Sequence, residues 1–307
     1  MSDRIREILG WYRSENPGVL TNLYRLLNHG RLGGTGRMVI LPVDQGFEHG
    51  PASSFAPNPP AYDPRYHFQL AIDAGLSAYA SLLGFLEAGA VEFAGQVPLI
   101  LKLSSHDLLH PEAEPLGAQT ASVRDALRLG CVAVGYTIYP GTAERRLQYE
   151  QLRELAQEAK SAGLAVVVWA YPRGDGISKD DRTALDVVAY AVHIAAQLGA
   201  HIIKTKLPTA NLALEESRSI YEEQNIPRNT SSDRVRHVVQ SAFNGRRIVI
   251  FSGGAKTDDA TMLDEVRAIR AGGGFGSIIG RNSFQRDQTA ALSLLDQVIR
   301  IYRGEMQ

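Results

Sequence analysis

The 307-residue chain has a single cysteine, Cys131, so neither an internal disulfide framework nor a cysteine-rich zinc module can form. Cys131 lies in the apolar run CVAVGY, where a thiol reads as a small core hydrophobe rather than a nucleophile. Excess charge is also lacking: 32 Lys+Arg stand against 33 Asp+Glu, a net charge of −1. Bulk binding to nucleic acid or to an anionic membrane usually needs a basic excess, so neither is expected. No run reaches the ~18 consecutive apolar residues of a membrane span. The opening MSDRIREILGWYRSENPG mixes charge into its apolar positions, unlike a signal peptide. A soluble, cytoplasmic protein is the expectation.

Metal-ligand spacing is missing too. His106 and His110 are spaced i,i+4, but Pro111 follows at once and no helix is evident there. His29, His49, His67, His193, His201 and His237 form no ligand pattern. Neither a metal nor a cofactor is expected. Gly33, Gly34 and Gly36 in RLGGTGR precede an apolar run instead of following one, so they are not a dinucleotide fingerprint. SGGAKT lacks the GK[ST] order of a nucleotide P-loop.

What is present suits a large core: 44% hydrophobic and 21% charged residues. The length fits two domains of about 150 residues, or one barrel of about 250 residues with extensions. Residues 1–36 read as a helical extension. Its second helix has Asn16 to cap it, Pro17 in the first turn, and an apolar stripe of Leu20, Leu23, Leu26 and Leu27 ending at Gly30.

From Met38 the pattern changes to short apolar runs: MVILPV (38–43), AYASLL (78–83), PLILKL (98–103), CVAVGY (131–136), AVVVWAY (165–171), AHIIKT (200–205), RIVIFS (247–252) and GSIIG (276–280). Continuous apolarity without alternation marks strands buried on both faces. Segments between them, such as AERRLQYEQLRELAQEAKSAG and ALDVVAYAVHIAAQLG, have helical periodicity. Strands and helices interleaved in this way predict an α/β fold, a single closed (β/α)₈ TIM barrel over residues 37–307. The alternative is an open doubly wound sheet, which would be expected to carry a glycine fingerprint after a strand. The proline-rich PASSFAPNPPAYDP (51–64) reads as a long loop over the barrel mouth.

Catalytic residues of such barrels sit at the carboxyl ends of the strands. Those ends carry Asp44, followed by Glu48 and His49; Lys102; Tyr136 and Tyr139; Trp169, Tyr171 and Arg173; Lys204 and Lys206; Ser252, Gly253 and Gly254; and Gly280, Arg281 and Asn282. Lys204 follows Ile202 and Ile203 in a buried run, where loss of hydration favours the neutral, nucleophilic amine. Such an amine forms Schiff bases with carbonyl substrates. The plainer alternative is a lysine that snorkels to the rim. Lys206 has the same strand parity, and alternation does not choose between the two. One would be the nucleophile, and the other a cation that lowers its neighbour's pKa or holds phosphate. The small residues of SGGAKT and IIGRN let backbone N–H groups approach an anion, with Arg281 adding a bidentate charge. Asp44 and Tyr171 are acid–base candidates, weighed against a helix-capping aspartate and a rim aromatic.

Together LPVDQGFEHG, GYTIYPG, VVWAYPRG, IIKTKLP, FSGGAKT and GRNSFQR resemble the class I fructose-1,6-bisphosphate aldolases of the archaeal/bacterial type, in order from about residue 30 to 290. RLGGTGR before LPVDQG, then SFAPNPPAYDP, is most similar to the bacterial branch. The resemblance implies that Lys204 is the Schiff-base residue and that Asp44 and Tyr171 handle protons. It also implies that His49 and Trp169 line the site, with Ser252, Gly253, Gly254, Gly280 and Arg281 holding phosphate.

The activity implied is reversible, metal-independent cleavage of fructose 1,6-bisphosphate to dihydroxyacetone phosphate and glyceraldehyde 3-phosphate, the aldolase step of glycolysis and gluconeogenesis. The implied partners are a sugar phosphate and further copies of the chain in a homo-oligomer, such as a decamer. Alternatives are a Schiff-base thiolase or synthase of the same family acting on another phosphorylated sugar, or a non-catalytic phosphosugar-binding barrel.

Overall fold

The computed structural model describes residues 1–109, 114–253 and 258–306. Eight parallel strands close into a barrel: β1 (Met38–Val43), β2 (Ala78–Ser81), β3 (Leu99–Lys102), β4 (Ala133–Ile138), β5 (Ala165–Ala170), β6 (Ile202–Lys206), β7 (Ile248–Ser252) and β8 (Gly276–Ile278). They neighbour one another in sequence order, and β8 pairs with β1 through Met38↔Gly276 to shut the ring. Almost every strand residue is buried, as expected for a sheet covered by helices outside and filled by side chains within. Each apolar run of the sequence contributes one barrel strand. The open-sheet alternative is thereby set aside.

Two amphipathic helices, α1 (Asp3–Gly10) and α2 (Pro17–Asn28), close the amino end of the barrel. Asn16 caps α2 by accepting from the Val19 N–H at 3.0 Å. Ile5, Ile8, Val19, Leu23, Leu26 and Leu27 are buried in the core they share with the strands. Each such burial is worth about 1.5–3 kcal/mol as an upper figure. Tyr12, between the helices, donates to the His201 carbonyl at 2.7 Å and accepts from the Ile248 N–H at 3.2 Å, bridging the starts of β6 and β7. Gly18 meets Gly163 so closely that a Cβ on Gly18 would lie 2.9 Å from the Gly163 Cα.

The proline-rich segment differs from the expected long loop. Its prolines begin short helical turns, Pro51–Phe55 and Pro59–Tyr62, because a fixed φ suits a first turn. Asn58 donates to the Phe284 carbonyl, and Gln285 donates to the carbonyls of Ser53 and Ser54. Phe55 packs against Phe85 and Phe284. The segment is thus pinned beside the carboxyl end of the barrel. No helix among the described residues is long and apolar enough to cross a membrane.

Candidate active site

A cavity of about 400 Å³ opens where the carboxyl ends of the strands converge. A roomier cleft of about 780 Å³ lies outside, between the helices Leu185–Gln197 and Glu215–Glu223. The carboxylate of its Asp186 is already occupied by the N–H groups of Val187, Ala213 and Leu214. The strand-end cavity is where the polar groups gather.

Its floor is set by β5 and β6. Trp169 and Lys204 are register partners on these strands, and both are buried. The Lys204 Nζ lies 5.2 Å from the Trp169 ring centroid and 5.5 Å from that of Tyr171, which follows β5 directly. No ion pair or hydrogen bond reaches Lys204 from the described residues. Lys206, two residues on, also lines the cavity. Burial, together with the charges of Arg173, Arg182, Arg281 and Lys204, lowers its pKa to about 8.

The opposite wall comes from β1 and β3. Asp44 follows β1 and starts the turn Gln45–His49, yet its side chain caps nothing, so the helix-capping alternative fails. Instead its Oδ2 accepts from the Lys102 Nζ at 2.7 Å, and Glu48 Oε1 takes the same ammonium at 2.5 Å. Burial pushes the Asp44 pKa up, but the charges of Lys102 and Lys204 and the Lys102 hydrogen bond prevail and hold it at about 2. Burial would likewise depress Lys102; its two carboxylate partners outweigh that and raise it. His49, half-buried, is pushed down by desolvation, against the pull of Glu48.

The third side is formed by Ser252 at the end of β7, Gly253, Gly280 after β8, and Arg281, all on the cavity wall. A Cβ at Gly280 would lie 2.9 Å from both the Gln45 Nε2 and the Pro42 carbonyl oxygen, so the backbone there runs too close for a side chain. Asn282 donates to the Gly253 carbonyl at 3.2 Å, tying the two loops together. Gly254 and the rest of SGGAKT to Thr257 lie outside the described residues, as does His110.

A family model for DeoC/LacD family aldolases matches residues 38–286. The chain belongs to that family. It is 36% identical over 299 residues to a probable class 1 fructose-bisphosphate aldolase of Chlamydia muridarum, covering 94% of this chain and 85% of the relative. Against the class 1 fructose-bisphosphate aldolase of Thermoproteus tenax the identity is 36% over 252 residues, covering 82% and 84%. Among solved structures, an archaeal fructose-1,6-bisphosphate aldolase with its catalytic lysine covalently bound to the carbinolamine intermediate of the substrate superposes with a TM-score of 0.75 at 33% identity. It covers 91% of this chain and 98% of that one.

In this member of the family, most of the strand-end residues singled out from sequence line one cavity; Tyr136 does not, and donates instead to Gln151 at 2.6 Å, while Lys102 lies behind Asp44 and Glu48. Sequence reading gave no role to Lys102 or Glu48, although Lys102 interrupts the apolar run PLILKL much as Lys204 interrupts AHIIKT. The cavity wall also includes Tyr139, which shares a hydrogen bond of 2.8 Å with the His106 Nδ1. Arg173 lies 5.8 Å from the Tyr171 ring centroid. Nothing in the local sequence around His106 signals that pairing, because its partner is 33 residues away.

Proposed function

We propose that the chain is a class I fructose-1,6-bisphosphate aldolase, cleaving fructose 1,6-bisphosphate reversibly into dihydroxyacetone phosphate and glyceraldehyde 3-phosphate through a Schiff base on Lys204. The observation that carries this reading is a buried lysine amine with two aromatic faces for neighbours, opening onto a cavity rich in cations. Family membership and the printed activities of the relatives support the same reading.

The neutral Lys204 amine adds to the C2 ketone of the open-chain sugar, and loss of water gives an iminium. That nitrogen draws the electron pair of the C3–C4 bond as the C4 hydroxyl gives up its proton, releasing glyceraldehyde 3-phosphate. The enamine takes a proton at C3, and hydrolysis frees dihydroxyacetone phosphate and the lysine. The proton lost at C4 and the proton gained at C3 cancel over the cycle once the proton taken up by the acceptor returns, through solvent, to the phenolate left on the donor. Asp44, held ionised, is suited to accept and not to donate. Tyr171, whose ring lies 5.5 Å from the Lys204 Nζ, is the donor at C3.

Phosphate binding follows from the charge distribution. Ser252, Gly253, Gly280 and Arg281 offer backbone N–H groups and a guanidinium on the cavity wall. Lys206, the register partner of Ser252, joins them, and the charges of Arg173, Arg182 and Arg281 crowd it and lower its pKa. A cavity lined by Arg173, Lys206 and Arg281 beside the Lys204 amine suits a phosphorylated sugar. Self-association into a homo-oligomer, implied by the sequence resemblance, belongs to the same proposal and is read by light scattering.

The test is turnover. The purified chain with fructose 1,6-bisphosphate and a chelator in excess is expected to yield both triose phosphates at an undiminished rate. Saturable sugar-phosphate binding without turnover would overturn the proposal, and so would activity abolished by the chelator and restored by a divalent cation.

A further inference from the structure

Lys102 is the most deeply buried ammonium at the site, 2% exposed, with two carboxylates on it and no role in the chemistry above. A buried ion pair is weak evidence for stability, since desolvating the charges offsets their attraction. Its placement has a chemical consequence. Asp44 lies close enough to both lysines to feel each charge, but its hydrogen bond goes to Lys102. Both lysines lie against the same indole, with Nζ 5.8 Å (Lys102) and 5.2 Å (Lys204) from the Trp169 centroid.

We infer that Lys102 is a positioning residue that acts on Lys204 through Asp44 and Glu48: it engages both carboxylates of the segment after β1 and so leaves the reactive amine without an anionic partner. The inference rests on the Schiff-base reading of Lys204. An amine attacks a ketone only after losing its proton, and an opposite charge at contact distance keeps that proton in place. Among the described residues, the titratable or charged groups around Lys204 include Asp44 just after β1, Lys102 from β3 with Tyr139 near it, Tyr171 beyond β5, and Lys206 on β6 itself. Arg173 and Arg281 lie beyond, against Lys206, and Glu48 faces Lys102. Asp44 is the anion of this set that faces Lys204 directly, and Lys102 is what occupies it. Glu48 strengthens the arrangement by placing a second carboxylate on the same ammonium.

The experiment follows the rate at which a borohydride-stable adduct appears after rapid mixing with dihydroxyacetone phosphate, as a function of pH. The adduct is located by intact mass and peptide mapping. Two variants are compared with the native chain: Lys102→Met, and Lys102→Met combined with Glu48→Gln. The double variant removes one charge of each sign and so strands less charge in the core, which guards against a single variant that does not fold. In either folded variant Asp44 has Lys204 as its remaining close cation. The midpoint of the rate profile is expected to move up by about 1–3 pH units, the usual effect of an opposite charge at 4–6 Å. Adding Asp44→Asn is expected to return the midpoint to the native value, and Lys102→Arg to leave it near native. An unchanged midpoint in a folded variant, or a raised midpoint that persists without the Asp44 carboxylate, would overturn the inference. Absence of any adduct in the native chain across the pH range would instead overturn the Schiff-base reading beneath it.

Discussion

Trp169 and Lys204 are register partners on adjacent barrel strands, and the Lys204 Nζ lies 5.2 Å from the indole centroid. An aromatic face attracts an ammonium weakly, whereas a carboxylate at that position would hold the charged form far more strongly. The partner supplied by β5 therefore matters as much to Lys204 as its own burial.

Replacing Lys204 removes the covalent route, whereas removing the Tyr171 hydroxyl removes one proton-transfer group. Lys204→Met should reduce turnover of fructose 1,6-bisphosphate to the limit of detection. Tyr171→Phe should cost about 10²–10⁴-fold in kcat, the usual range for acid–base assistance. Initial-rate assays with a coupled triose-phosphate readout decide this. Similar residual rates in the two variants would count against the assigned roles.

Lys206 sets a pH dependence with a definite sign. Its pKa is lowered to about 8, so in the free enzyme its charge is present below that pH and lost above it. KM for fructose 1,6-bisphosphate should rise as pH passes about 8, as one phosphate partner goes neutral. Lys206→Met should raise KM roughly 10- to 100-fold at neutral pH, matching ~1.5–3 kcal/mol for a charged hydrogen bond, and flatten that rise. Steady-state KM against pH in both proteins is the measurement.

The amino end of the barrel carries a separate pH response. Glu15 joins His201 at 3.2 Å and Lys160 at 2.9 Å. The His201 ring and the Lys160 ammonium beside it lower Glu15 from 4.5 to about 2 against its own desolvation. A carboxylate lowered on folding contributes stability above about 4.5 that fades as pH falls toward about 2. His201 is lowered from 6.5 by burial, with the neighbouring Glu15 carboxylate opposing. Its Nδ1 accepts from the Val166 N–H at 2.8 Å, so the neutral ring presents its proton at Nε2. The unfolded chain takes up that proton first, so stability also declines as pH drops below about 6.5. Denaturant midpoints across pH should show both declines. Glu15→Gln should remove the lower one and His201→Gln should shrink the upper one.

The seam of the barrel is the most sterically restricted point. Gly276 has φ +145°, and a Cβ there would lie 1.8 Å from the Met38 carbonyl oxygen. Gly276→Ala should destabilise the fold by at least about 3 kcal/mol, since neither strand can shift without breaking the closing pair. Thermal unfolding would show it; a native melting temperature would contradict the β8–β1 register.

Much of this molecule is legible in its sequence because burial on both faces leaves unbroken apolar runs, and each of those runs is a barrel strand. Lys204 and Lys206 stood out because a charge inside such a run is costly and so draws notice. Lys102 sends the same signal from PLILKL, but its meaning depends on Asp44, 58 residues earlier, and on Glu48, 54 residues earlier. Pairing over such separations has no local pattern. The helical turns in 51–64 were hidden for a different reason: proline fits both a loop and a first helical turn, and the choice was made by Phe284 and Gln285 from the far end of the chain.

Incubating the purified chain with dihydroxyacetone phosphate and borohydride, then weighing it intact and mapping its peptides, tests the covalent chemistry most directly. One reduced triose-phosphate adduct per chain, located on Lys204 and absent without the sugar, is the expected result. An adduct on Lys206 or Lys102, or an unmodified mass in a chain that still turns over fructose 1,6-bisphosphate, would contradict it.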